Sequence, residues 1–98
     1  MILKKLTVDD QVVVLVARGG GSLGNFAKCV ITNTSASNTA KVSIYLEDAS
    51  SVKHHFIKSL LIPTETSLML DINSFNTEKF QLCAVADGTS PLVDIILT

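Results

Sequence analysis

Ninety-eight residues suffice for one hydrophobic core, so residues 1–98 read as a single domain. A formal net charge of −1, with four Phe, one Tyr and no Trp, excludes a face-wide basic field or a ladder of stacking platforms, and with them nucleic acid as a partner. Hydrophobic residues make up 47% and charged residues 17%, an apolar balance for a domain with so much surface per unit volume, so some apolar surface is expected to meet another subunit.

Runs rich in Val, Ile, Leu and Thr recur about every 8–12 residues between clusters of Ser, Thr, Asn, Gly and Asp, the rhythm of a small all-β sandwich or barrel. Met1–Val8 forms a weakly alternating first strand, and Asp9-Asp10 a turn. Gln11–Ala17 holds Val12-Val13-Val14-Leu15-Val16, an unbroken apolar run of the kind that buries both faces of a strand. A central strand with a subunit docked on its outer face accounts for such a run. Arg18–Asn25 is a glycine-rich loop. Phe26–Asn33 is a strand with Phe26, Lys28, Val30 and Thr32 on one face and Ala27, Cys29 and Ile31 on the other. Thr34–Asn38 is a turn whose side chains can bond their own backbone.

Ala40–Glu47 is the clearest half-buried strand, with Val42, Ile44 and Leu46 alternating against Lys41, Ser43, Tyr45 and Glu47. Asp48–Ser51 turns the chain into Val52–Ile62, a long strand or a strand with a bulge, which Pro63 ends because proline donates nothing to a ladder. Ser67–Ile72 alternates again, with Leu68, Leu70 and Ile72 on one face. Asn73–Lys79 is polar, with one helical turn expected around Ser74–Glu78. Phe80–Ala86 is a strand, Asp87–Pro91 carries an Asp-Gly turn signal, and Leu92–Leu97 is a last apolar strand. The expected fold is all-β, an antiparallel sandwich of seven to eight strands, immunoglobulin-like or jelly-roll-like.

Several residue groups resemble chemical sites and fail on context. Gly19-Gly20-Gly21-Ser22-Leu23-Gly24 has the spacing G-x-G-x-x-G, but a dinucleotide fingerprint must open a helix, and the residues that follow are strand formers. His54-His55 are neighbours on a strand and point to opposite faces, so they do not chelate one ion together. Cys29 and Cys83 fall on strands that would be the second and seventh of an immunoglobulin-like sandwich. The packed Trp of that fold is missing, and Gln81 stands where its corner Tyr would be, so the cysteines read as packed thiols, with a disulfide as the lesser alternative. No nucleophile–base–acid set is visible, which points away from an enzyme and from cofactors. Asn33-Thr34-Ser35 is a formal glycosylation acceptor, read as a polar turn. No apolar run approaches the ~20 residues of a membrane helix, and Met1–Leu6 lacks the ordered regions of a signal peptide, so a cytoplasmically made protein with no membrane partner is expected.

Five blocks in order carry a resemblance. They are Val30-Ile31-Thr32-Asn33-Thr34-Ser35, Val42-Ser43-Ile44-Tyr45-Leu46, Ile57-Lys58-Ser59-Leu60-Leu61-Ile62-Pro63, Leu68-Met69-Leu70-Asp71 and Val93-Asp94-Ile95-Ile96-Leu97. Together, over about Phe26–Leu97, they resemble small β-sandwich structural proteins of tailed bacteriophage particles, notably those of marine and cyanobacterial phages. The resemblance implies a non-enzymatic protein of the virion, made in the host cytoplasm, with no catalytic, cofactor or metal residues to carry over. A head decoration or cement protein is the first reading. A collar, neck, tail or baseplate component, or a receptor- or carbohydrate-binding β module, is the alternative. Expected partners are other virion proteins, the major capsid or tail proteins, and further copies of the chain. The expected interface residues are Val12, Val13, Val14, Leu15, Val16, Gly19, Gly20 and Gly21. Contact is open to two mechanisms: an edge strand adding to a neighbour's sheet, or an outer sheet face docking on a neighbour.

Overall fold

The computed structural model describes residues 1–19, 28–72 and 75–98. All regular structure among them is β: β1 (Ile2–Leu6), β2 (Gln11–Val16), β3 (Lys28–Asn33), β4 (Ala40–Glu47), β5 (Lys53–Ile62), β6 (Thr66–Asp71), β7 (Gln81–Asp87) and β8 (Val93–Leu97). They form two four-stranded antiparallel sheets, ordered β1-β8-β3-β6 and β2-β7-β4-β5. Only β4 and β5 are consecutive strands paired as a hairpin; every other connection crosses from one sheet to the other. This is the eight-stranded double-sheet order of a jelly roll, and it decides between the two sandwich arrangements compatible with the sequence. The strand boundaries lie close to those expected. Of the helical turn expected around Ser74–Glu78, Ser74 lies outside the described residues; from Asn76 on there is a single hydrogen-bonded turn, in which Lys79 and Phe80 donate their N–H groups to the Asn76 carbonyl and Glu78 N–H bonds Asn76 Oδ1 at 2.8 Å.

The core follows from period 2. Ile31, Cys29, Ile95, Leu97, Val93 and Leu6 point inward from one sheet, and Val42, Ile44, Leu82, Ala84 and Ala86 from the other. Three alanines and two valines on the middle strands let the sheets approach; the larger isoleucines and leucines fill the gap between them.

The apolar run of β2 has a different cause from the one expected. β2 is the first strand of its sheet, an edge strand and not a central one. Its register against β7 shifts between Val14 and Val16, a bulge that turns Leu15 and Val16 toward the core in succession. Val13, opposite the buried Ala84, also packs inward, while Val12 and Val14 pair with Val85 and Cys83 on the outer side. The run therefore supplies three inward and two outward side chains, without burying both faces.

Three of the four edge strands, β1, β2 and β5, are guarded. The β2 bulge interrupts one, and β5 carries register shifts against β4 near Ile44, with Ser59 at φ 51° and its N–H bonded to Ser43 Oγ at 2.8 Å. On β1, Lys4 lies opposite the core-facing Ile95 yet is exposed, a charged residue on the inward side of an edge strand. Each device hinders pairing with a foreign strand.

The β3–β4 connection hangs on one side chain. Asn33 is fully buried; its Nδ2 donates to the carbonyls of Asn38 (2.9 Å) and Ile62 (3.1 Å), and its Oδ1 accepts from Ser35 N–H (3.1 Å). Ser35 Oγ in turn accepts from Asn38 N–H at 3.0 Å. The Asn-Thr-Ser triplet is thus an internal polar lock that ties the β3–β4 turn to the end of β5.

Candidate functional site

The molecule is a slab of 39 × 25 × 16 Å, and its chemistry lies on the two broad outer sheet faces. On the β2-β7-β4-β5 face the outward rows run Val12–Val85–Ser43 and Val14–Cys83–Tyr45–His55, with Asp87–Lys41–Leu61 beyond them at one end. Val12 is 51% exposed, Val14 39% and Leu61 54%. The expected interface run is thereby divided. Val12 and Val14 stand on an outer face; Leu15 and Val16, at 4% and 3% exposure, are core residues, and Val13 packs against that core. A core position has no surface to offer a partner, so Leu15 and Val16 are removed from the interface set, while Val13 is half-buried with its side chain packed toward the core. Gly19 is exposed, at φ 72°, and its N–H bonds the Thr77 carbonyl. Gly20 and Gly21 lie outside the described residues, as do residues 22–25 of the Gly-rich loop.

The second row of that face holds a small polar–aromatic cluster. Tyr45 is buried although it points outward, because His55 lies against its ring (centroids 5.1 Å apart) and Lys53 Nζ sits 5.0 Å from the ring centroid. His55 is held below its ordinary pKa, first by desolvation and then by Lys58 and Lys53. His54 turns the other way, edge-on to Phe80 at 5.9 Å and 3.9 Å from Asp48 Oδ2. The two histidines diverge as alternation requires, and among the described residues no group of three His, Cys, Asp or Glu is placed to hold a metal ion.

Both cysteines are free and buried, but they face opposite ways. Cys29 on β3 belongs to the core, whereas Cys83 lies on the outer side of β7, between Val14 and Tyr45 and in antiphase to the inward Leu82 and Ala84. An inter-sheet bridge needs both side chains to point inward, so the disulfide alternative is ruled out by parity. Burial pushes the Cys29 thiol up to about 11; burial and then Glu47 push Cys83 up as well. Neither is a reactive thiolate. In native buffer a thiol reagent is expected to modify fewer than one cysteine per chain over an hour, and both within minutes in denaturant; rapid native labelling would contradict the placement.

At the sheet end, Asp87 is shifted up by desolvation and by Asp10 and Asp9, while Asp9 Oδ1 accepts the Gly88 N–H at 2.9 Å. A carboxyl whose folded pKa is raised binds its proton more tightly in the folded state, so its contribution is favourable at low pH and is lost as pH rises through the carboxylate range. Asp87→Asn is accordingly expected to raise the melting temperature at pH 7 and to leave it unchanged at pH 3; an equal effect at both pH values would show that charge is not the cause.

The opposite face carries a feature that alternation within any one strand does not reveal. Leu3 pairs with Ile96, Ile96 with Val30 and Val30 with Met69, so four apolar side chains form one row across β1, β8, β3 and β6 on the outer side. Leu3 is 65% exposed and Met69 59%, with Ile96 and Val30 half-buried between them. An open groove of about 420 Å³ runs along its β1–β8 end, lined by Leu3, Lys5, Asp94 and Ile96 with Lys4 and Ile95. The signal was present in sequence as apolar residues at polar positions, Val30 between Lys28 and Thr32 and Met69 between Ser67 and Asp71. No protein-family model, no curated protein and no solved structure matches the chain.

Proposed function

We propose that this chain is a non-enzymatic structural protein of a tailed-phage virion, a head decoration or cement protein that stabilises the capsid through surface contacts. The observation that carries the mechanism is the outer face of the β2-β7-β4-β5 sheet, where Val12, Val14 and Leu61 stand exposed around the half-buried Val85. The identity of the particle rests on the resemblance over about Phe26–Leu97. Guarded edges on β1, β2 and β5 favour docking by a face over strand addition. Repeated copies on a lattice would hold firmly through individually weak contacts.

Jelly rolls serve in capsids and in lectins alike, so the fold by itself is analogy. Aromatic placement speaks against the sugar-binding alternative. Tyr45 is capped by Lys53 and His55, Phe56 and Phe75 pack against the core, and no described aromatic residue is exposed for a sugar ring to stack on. The test is mass spectrometry of heads and tails separated from particles made by the genome that encodes the chain. Multiple copies per head support the proposal. Recovery only in tails replaces it with the collar, tail or baseplate alternative, and absence from both overturns the virion reading.

A further inference from the structure

We propose that a second copy of this chain docks on the outer face of the β1-β8-β3-β6 sheet, forming a two-fold dimer centred on the row Leu3–Ile96–Val30–Met69. The row is in register across all four strands, so it forms a continuous apolar stripe with no polar gap. Isolated exposed apolar residues need no explanation; a stripe aligned through four strands drawn from both ends and the middle of the chain does.

Charge selects the occupant. On one side of the stripe Lys5 Nζ is tied to Asp94 Oδ1 at 2.8 Å, and the row continues through Thr32 and Ser67, whose hydroxyls bond each other at 2.8 Å. On the other side Lys28 and Asp71 are register partners. The face thus holds two cations and two anions, each cation beside an anion. A balanced face offers no net attraction to phosphate or to a strongly charged protein, and it presents no net repulsion to its own copy. With the two-fold axis along the strands, β1 lies over β6 and β8 over β3, so Leu3 of each copy meets Met69 of the other, Ile96 meets Val30, and no like charges in the flanking rows are opposed.

Area permits it. A standard interface takes roughly 800 Å² from each partner, about one-seventh of the 5414 Å² surface here. Lys4 guards the β1 edge of this sheet against strand addition, and the apolar stripe lies on the face. Such a dimer leaves the Val12–Val14 face free, so one surface would join copies while the opposite one meets another virion protein. The inference does not depend on the virion reading: a dimer that never enters a particle would still establish it.

The experiment is sedimentation velocity across a wide concentration range on the native chain and on Leu3→Lys, Met69→Lys and Val14→Lys. All three substituted positions are exposed, and melting curves verify that each variant folds. The native chain is expected at twice its 10.5 kDa mass. Because a two-fold interface meets each substitution twice, Leu3→Lys and Met69→Lys are each expected to weaken the dimer by about 100-fold or more. Val14→Lys is expected to remain dimeric. If either stripe variant fails to fold, Leu3→Ser and Met69→Ser are expected to weaken the dimer about 10-fold. A monomer throughout, a dimer indifferent to both stripe substitutions, or one dissolved by Val14→Lys overturns the proposal.

Discussion

Replacing Asn33 by Leu is expected to cost about 3 kcal/mol, a large part of the stability of a domain this size. The leucine is of similar volume and apolar, so the loss comes from what is left behind: the carbonyls of Asn38 and Ile62 and the N–H of Ser35 lose their partner within the fold. Each buried polar group stranded in this way costs about 1–3 kcal/mol, offset in part by the gain from burying the leucine. Asn33→Asp is expected to be worse at neutral pH. It keeps an acceptor for Ser35 N–H but turns a carboxylate oxygen toward two carbonyl oxygens in a site closed to water. That surrounding raises the folded pKa of the new carboxyl, so its penalty is present above the folded pKa and shrinks as pH falls through it, where the protonated acid can donate one bond. Urea unfolding at pH 7 and pH 4 measures both. A loss below 1 kcal/mol for Asn33→Leu would show that the amide is not what holds the β3–β4 turn to β5.

A lysine walk along β2 is expected to split by side and not by position in the run. Leu15→Lys and Val16→Lys place an ammonium in the core beside Leu82 and should leave no folded protein at 25 °C. Val13→Lys should cost about 1–3 kcal/mol, because an edge-strand lysine at a half-buried site can extend its head to water as Lys4 does on β1. Val12→Lys and Val14→Lys should change stability by less than ~1 kcal/mol and, under the proposed virion role, abolish binding to the particle, since both stand on the outer face. Circular dichroism melts and co-sedimentation with particles lacking the protein supply the two readouts. Unfolding of both Val12→Lys and Val14→Lys would remove the outer-face assignment. Full binding by both would remove the interface.

Both predictions separate what local chemistry specifies from what pairing specifies. Ala40–Glu47 was legible because its inward and outward residues differ in polarity at period 2, and the end of β5 at Ile62 because Pro63 cannot donate a ladder hydrogen bond. The all-β class and the single core follow from such local signals, as does the divergence of His54 and His55. The parity of β2 was hidden, since five apolar residues in a row carry no contrast between faces and the bulge that turns Leu15 and Val16 inward exists only in the pairing with β7. The outward placement of Cys83 was hidden for a similar reason: its neighbours Leu82 and Ala84 are as apolar as it is. The Leu3–Ile96–Val30–Met69 stripe was beyond any single segment, because its residues come from four separate strands and meet only through strand order. By itself the sequence determined where strands start, stop and alternate, since those depend on neighbours one or two residues away. Which strands are edges, which side of an all-apolar strand faces water, and which distant residues share a face were decided only by the tertiary structure, because hydrogen-bonded register between remote segments fixes them.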